Sequence, residues 1–147
     1  MHAGIDVPVK RLELVRVRVC QSCGRGRAEL EAPDGAALSI PLDALRAHEL
    51  ERRGEADDVP WLSAVILELV QATKGTVREV VLDADARGLR ALVSISRGEA
   101  DDVEVVGCTP QEGVDLAVRG SFPIYATDDA LATTGGTPET DGHDRLH

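Results

Sequence analysis

At 147 residues with a net charge of −10, the chain is long enough to bury one self-sufficient core and lacks the overall positive charge that neutralises phosphate backbones. Aromatic residues make up only 2% against 43% hydrophobic, so the core is expected from Val, Leu, Ile and Ala. An odd count of three cysteines and the lack of any apolar run of membrane length point to a reducing, cytoplasmic setting with no membrane partner.

Residues 1–8 read as a flexible lead-in and 9–132 as a single domain. Leu12 to Val19 alternates as a strand, with Val15, Val17 and Val19 on one face and Arg16 and Arg18 on the other. Cys20-Gln-Ser-Cys23-Gly24 makes a tight turn, and Arg27 to Ala32 resumes period two. Arg16, Arg18, Arg25 and Arg27 read as a solvated strand face, with a local basic strip as the other reading. Pro33-Asp34-Gly35 turns the chain into a third strand, Ala36 to Ile40. From Leu42 to Arg53 the period becomes helical, with Leu42, Leu45, Glu49 and Leu50 at helical spacings, and 54–58 reads as a polar linker.

Pro60 to Lys74 is the most apolar segment, its stripe running through Trp61, Leu62, Val65, Ile66, Leu69 and Val70. A helix this apolar belongs in the core or at a subunit interface, hence the expectation of a homodimer. Gly75 closes it. Val77 to Asp83 and Leu89 to Ser96 form a hairpin through Asp85-Ala-Arg-Gly88, and Asp102 to Val106 is a further strand. Thr109 caps a helix, Pro110 suits its first position and Glu112 completes a capping box. Val114, Ala117 and Val118 share one face of that helix, Gly120 stops it, and Phe122 to Tyr125 restarts an extended run. Residues 133–147 are expected to be a disordered acidic and polar tail. The sum is an α+β fold of mixed β-sheets, about six or seven strands with about three helices. Three strands and a helix from Leu12 to Arg53 are echoed from Val77 to Arg119.

The stretch from Arg78 to Leu131 resembles the C-terminal half of the bifunctional nuclease (BFN) domain family. That family's pattern runs through a motif of the kind Arg-Pro-Ser-Asp-Ala-Ile-Ala-Leu-Ala, a small-residue turn and Pro-Ile-Phe/Tyr. Here the matching residues are Thr109-Pro110-Gln111-Glu112-Gly113-Val114-Asp115-Leu116-Ala117, then Arg119 and Pro123-Ile124-Tyr125. The resemblance implies metal-assisted hydrolysis of phosphodiester bonds in RNA or DNA, with Mg²⁺ or Mn²⁺ as cofactor and Glu112 in place of the motif's Asp. Thr109 and Gln111 depart from the family's Arg and Ser. In the first half, Leu38-Ser-Ile-Pro-Leu-Asp-Ala-Leu45 lacks the family's Trp, Gly and Glu placement, which leaves Asp43 or Glu49 as stand-ins. The alternative is a scaffold that has kept the fold without catalysis and acts as an interaction or regulatory module.

Four residues carry the catalytic expectation. Glu112 is both a capping acceptor and the leading carboxylate; Asp115, three residues on, shares its side of the helix. Arg119 clamps a phosphate or neutralises the helix C-terminus, and Asp43 stands in for the missing Glu. The Asp pairs at 57–58, 101–102 and 128–129 read as solvated turn residues. Cys20-x-x-Cys23 has the spacing of a zinc knuckle, of a redox pair and of two inert thiols in a turn. Zinc would draw its remaining ligands from Cys108 and His48, brought in by the fold or by a dimer.

Overall fold

The alternating runs become two three-stranded antiparallel meanders, each followed by a helix, in a computed structural model that describes residues 7–52, 62–97 and 102–134. The first meander is β1 (Val9–Val19), β2 (Gly26–Glu31) and β3 (Ala37–Leu42), followed by α1 (Ala44–Glu51). After α2 (Leu62–Ala72) comes the second: β4 (Gly75–Asp85), β5 (Gly88–Arg97) and β6 (Val103–Cys108), followed by α3 (Pro110–Gly120). The chain ends its described part with β7 (Ile124–Thr127) and α4 (Asp128–Thr134). All seven strands join one mixed sheet in the order β3-β2-β1-β7-β4-β5-β6. Short β7 is the hinge of this arrangement, antiparallel to β1 (Leu12 opposite Ile124) and parallel to β4 (Val80 opposite Ile124).

The sheet curls, for α4 packs against both β3 and β4 although three strands separate them. The curl closes one core over Leu12, Leu30, Ile40, Leu50, Val80, Leu82 and Val114. Each such side chain contributes about 1.5–3 kcal/mol on burial. Among the described residues no helix is long and apolar enough to cross a membrane.

Several local readings change. A bulge between Leu14 and Arg16 turns Val15 outward, 48% exposed, while Val17 stays inward. Arg16 and Arg18 both grip Glu29 from β2, each at 2.6 Å, and Arg27 donates to the Ser39 hydroxyl at 2.6 Å, so this face is a lattice of cross-strand pairs. The first helix begins at Ala44, because Leu42 still pairs in β3; Glu49 and Leu50 face inward as expected, but Leu45 turns out, 59% exposed, and Arg46 turns in, 7% exposed. The third helix ends through Ser121, which takes the left-handed conformation expected of Gly120 (φ 61°). Gly120 is needed for space instead, since a Cβ there would overlap the Phe122 ring at 2.2 Å. A fourth helix, α4, was not expected. Thr127 Oγ1 caps it by accepting from the Ala130 amide (3.2 Å), and Asp128 and Asp129 form its first turn, where carboxylates suit the helix dipole. The linker at 54–58, Trp61, Asp101, residues 1–6 of the lead-in and the tail from 135 lie outside the described residues.

Candidate functional site

Two helix starts define the site. Asp43 caps α1 by accepting from the Arg46 amide (2.8 Å), and Thr109 caps α3 by accepting from the Glu112 amide (3.4 Å). Gln111 then ties the two caps together: its Oε1 accepts from the Asp43 amide (2.8 Å) and its Nε2 donates to Asp43 Oδ2 (2.9 Å). Bonding from the Arg46 amide, ahead of that from Gln111, holds the Asp43 carboxyl below its usual range. Asp43 is thus committed to holding α1 against α3, and Gln111 is the clasp between their caps.

That tie sets the buried Arg46 against α3. Its guanidinium lies 3.1 Å from Glu112 Oε2, 3.4 Å from Glu49 Oε1 and 3.9 Å from Asp115 Oδ2. Glu112 therefore reaches into the fold, to Arg46, while its side chain stays 44% exposed at the rim. The close seating of α3 comes from Gly113, where a Cβ would stand 2.4 Å from that of Ala91 on β5.

These groups form the polar end of a cavity of about 140 Å³. Val77, Val93 and Ile95 make its floor, Val106 and Cys108 one side, and Ile66, Val70 and Leu116 the other; Ser63 stands with Arg46, Glu112 and Asp115. Burial, and secondarily the charge of Glu49, pushes the Asp115 carboxyl up to about 6, against the pull of Arg46, Arg119 and the Ser63 hydroxyl. Among the described residues Asp115 Oδ1 and Arg46 Nε make no hydrogen bond. Burial likewise pushes the Cys108 thiol up to about 11, helped by the charge of Glu112.

The chain matches no protein-family model and no curated protein.

The structure brings together Glu112 and Asp115, with Arg119 close enough for its charge to act on Asp115. It adds Arg46, Glu49 and Ser63, of which the sequence points only to Glu49; the signal for Arg46 is its opposite-charge spacing of three from Glu49. Cys20, Cys23, Cys108 and His48 are not gathered: Cys20 and Cys23 lie in the β1–β2 turn, Cys108 ends β6, and His48 is exposed in the last turn of α1. Among the described residues no three His, Cys, Asp or Glu side chains form a metal-binding group. A divalent cation does not fit the carboxylate cluster either, because the Arg46 guanidinium fills the point on which Glu49, Glu112 and Asp115 converge.

The raised Asp115 value sets a pH dependence. The folded state holds this proton more tightly than the unfolded one, so the stability it contributes is fully present below about pH 4 and is lost as pH rises through about 6. Asp115→Asn is expected to remove that loss and raise the melting temperature at pH 7.5 by about 4–8 °C, for about 2 kcal/mol. Thermal melts of both proteins from pH 4 to 8 check this; parallel curves would refute it.

Proposed function

We propose that the chain is a divergent BFN-like phosphodiester hydrolase that cleaves single-stranded RNA or DNA by acid–base chemistry at the polar end of the cavity between α2 and α3, where Arg46 enters from α1. The observation that carries this is a buried guanidinium set between a rim carboxylate, Glu112, and a carboxyl poised near neutrality, Asp115, at the polar end of a cavity. Asp115 in its protonated form donates to the departing oxygen, Glu112 takes a proton from the attacking water, and Arg46 orients both and supplies positive charge near the phosphate. Three carboxylates around one guanidinium repel a dense polyanion, which favours a short single strand over a duplex.

Labelled single-stranded RNA and DNA, incubated from pH 5 to 8 with chelator or with Mg²⁺, Mn²⁺ or Ca²⁺, test the reading. Cleavage is expected in chelator, rising as pH falls from 7.5 towards 6, and dropping at least about 100-fold in Asp115→Asn and Glu112→Gln. Cleavage that survives both substitutions would place the chemistry elsewhere.

A second reading rests on a different observation. Val65 and Leu69 on the outer face of α2 are exposed, the latter to 61%, with no described element packed over them, and Val105 and Val106 are exposed on β6, an edge strand among the described residues. A non-catalytic scaffold would use this apolar surface for self-association as a homodimer. No cleavage under any condition, together with a two-chain mass in solution, would favour it.

A further inference from the structure

The β1–β2 turn offers chemistry that the cavity between α2 and α3 does not use. Cys20 and Cys23 bracket a loop closed by two backbone bonds, Gly24 N to Cys20 O (3.0 Å) and Cys20 N to Arg25 O (2.7 Å), with Gly24 in the left-handed region (φ 81°). The loop is seated on α1. A Cβ at Gly24 would touch that of Ala44 at 3.4 Å, and one at Gly26 would stand 3.1 Å from that of Ala47. The two thiols are therefore presented from a fixed turn, both free, with Cys23 exposed and Cys20 half-buried.

We propose that Cys20 and Cys23 form a redox-active dithiol that exchanges with small-molecule disulfides, Cys20 attacking and Cys23 resolving. The Ser22 hydroxyl lies 3.2 Å from Cys20 Sγ. That hydroxyl first, then the Cys23 thiol and the backbone amides of Cys23 and Ser22, lowers the Cys20 thiol to about 6. In the first step the Cys20 thiolate attacks one sulfur of the disulfide RSSR, forming a mixed disulfide and expelling RS⁻. Cys23 then gives its proton to solvent and attacks Cys20 Sγ, closing the protein disulfide and releasing the second RS⁻. Two protein thiols are oxidised and one external disulfide is reduced to two thiols. Cys108, half-buried with its thiol pushed up to about 11, is a built-in reference for an unreactive thiol in the same chain. The proposal is independent of the cavity and of any hydrolysis there.

A lowered thiol pKa raises the thiolate fraction but weakens the nucleophile, so the two effects nearly cancel at pH 8 and leave a gain of about tenfold over free cysteine at pH 6. The experiment takes the reduced full chain, adds oxidised glutathione at pH 6 and at pH 8, quenches by alkylation and maps the peptides by mass spectrometry. Expected are a Cys20–Cys23 disulfide, a Cys20 rate at pH 6 about tenfold above free cysteine, and Cys108 slower by at least about 100-fold. Cys23→Ser should stall as a Cys20–glutathione mixed disulfide, and Cys20→Ser should lose the fast reaction at pH 6. The proposal is overturned if Cys20 reacts no faster than free cysteine at pH 6, or if Cys23→Ser leaves no mixed disulfide. It is equally overturned if the thiols react only after a chelator has removed a bound metal.

Discussion

Replacing Arg46 with Met should cost the fold about 3–5 kcal/mol at pH 8, with the loss shrinking to about 1 kcal/mol near pH 5. Met matches much of the length and bulk of the arginine stem, so the lost packing is small and the missing charge dominates. Glu49 and Asp115 are as buried as Arg46, and without it each loses the guanidinium set against it, leaving Asp115 with only the weaker pull of Arg119. Asp115, already pushed up to about 6, is then pushed higher still, and each further unit costs the fold about 1.4 kcal/mol at a pH above it. That cost is heavy at pH 8 and nearly absent at pH 5, where unfolded carboxyls are themselves partly protonated. Urea unfolding at both pH values reads the difference directly. Equal losses at both would mean that the cluster is not electrostatically coupled.

The second large effect is steric. At Gly113→Val the helix α3 should be levered off β5, lowering stability by about 3 kcal/mol and the melting temperature by about 6–12 °C. Alanine at this site would ordinarily gain about 1 kcal/mol of helix propensity, but its methyl would stand 2.4 Å from that of Ala91, with Val80 Cγ1 at 3.2 Å beyond it. Both neighbours belong to paired strands in the middle of the sheet, so neither can retreat cheaply, and the overlap outweighs the propensity. Moving the methyl from one partner to the other tests the cause: Gly113→Ala combined with Ala91→Gly should recover at least half of the loss seen in Gly113→Ala alone. A double variant no more stable than the single one would show that the contact is not the source.

What could be read beforehand follows from which forces are local. The two meanders were legible because alternation and Pro-Asp-Gly or Asp-Ala-Arg-Gly turns act within a few residues. Glu112 and Asp115 were legible as a pair because three residues of helix fix their common side. Arg46 was not, since its partners on α3 are 66 and 69 positions away and its burial reverses the rule that Leu45 should face inward. Gln111 looked like a lost motif residue, and only the pairing of the two helix caps gives it a purpose. Val15 was misplaced for a similar reason: a bulge is a property of the strand pair and leaves no mark on one strand alone.

The central position of β7 has a consequence for the order of assembly. Each meander is closed by neighbours in the chain and can zip as soon as it is synthesised, whereas β1 and β4 are joined only once β7, the last described strand, slides between them. During translation the nascent protein therefore carries two half-sheets with open flanks, a period in which ribosome-associated chaperones would have most to shield. Four residues arriving late turn two halves into one body.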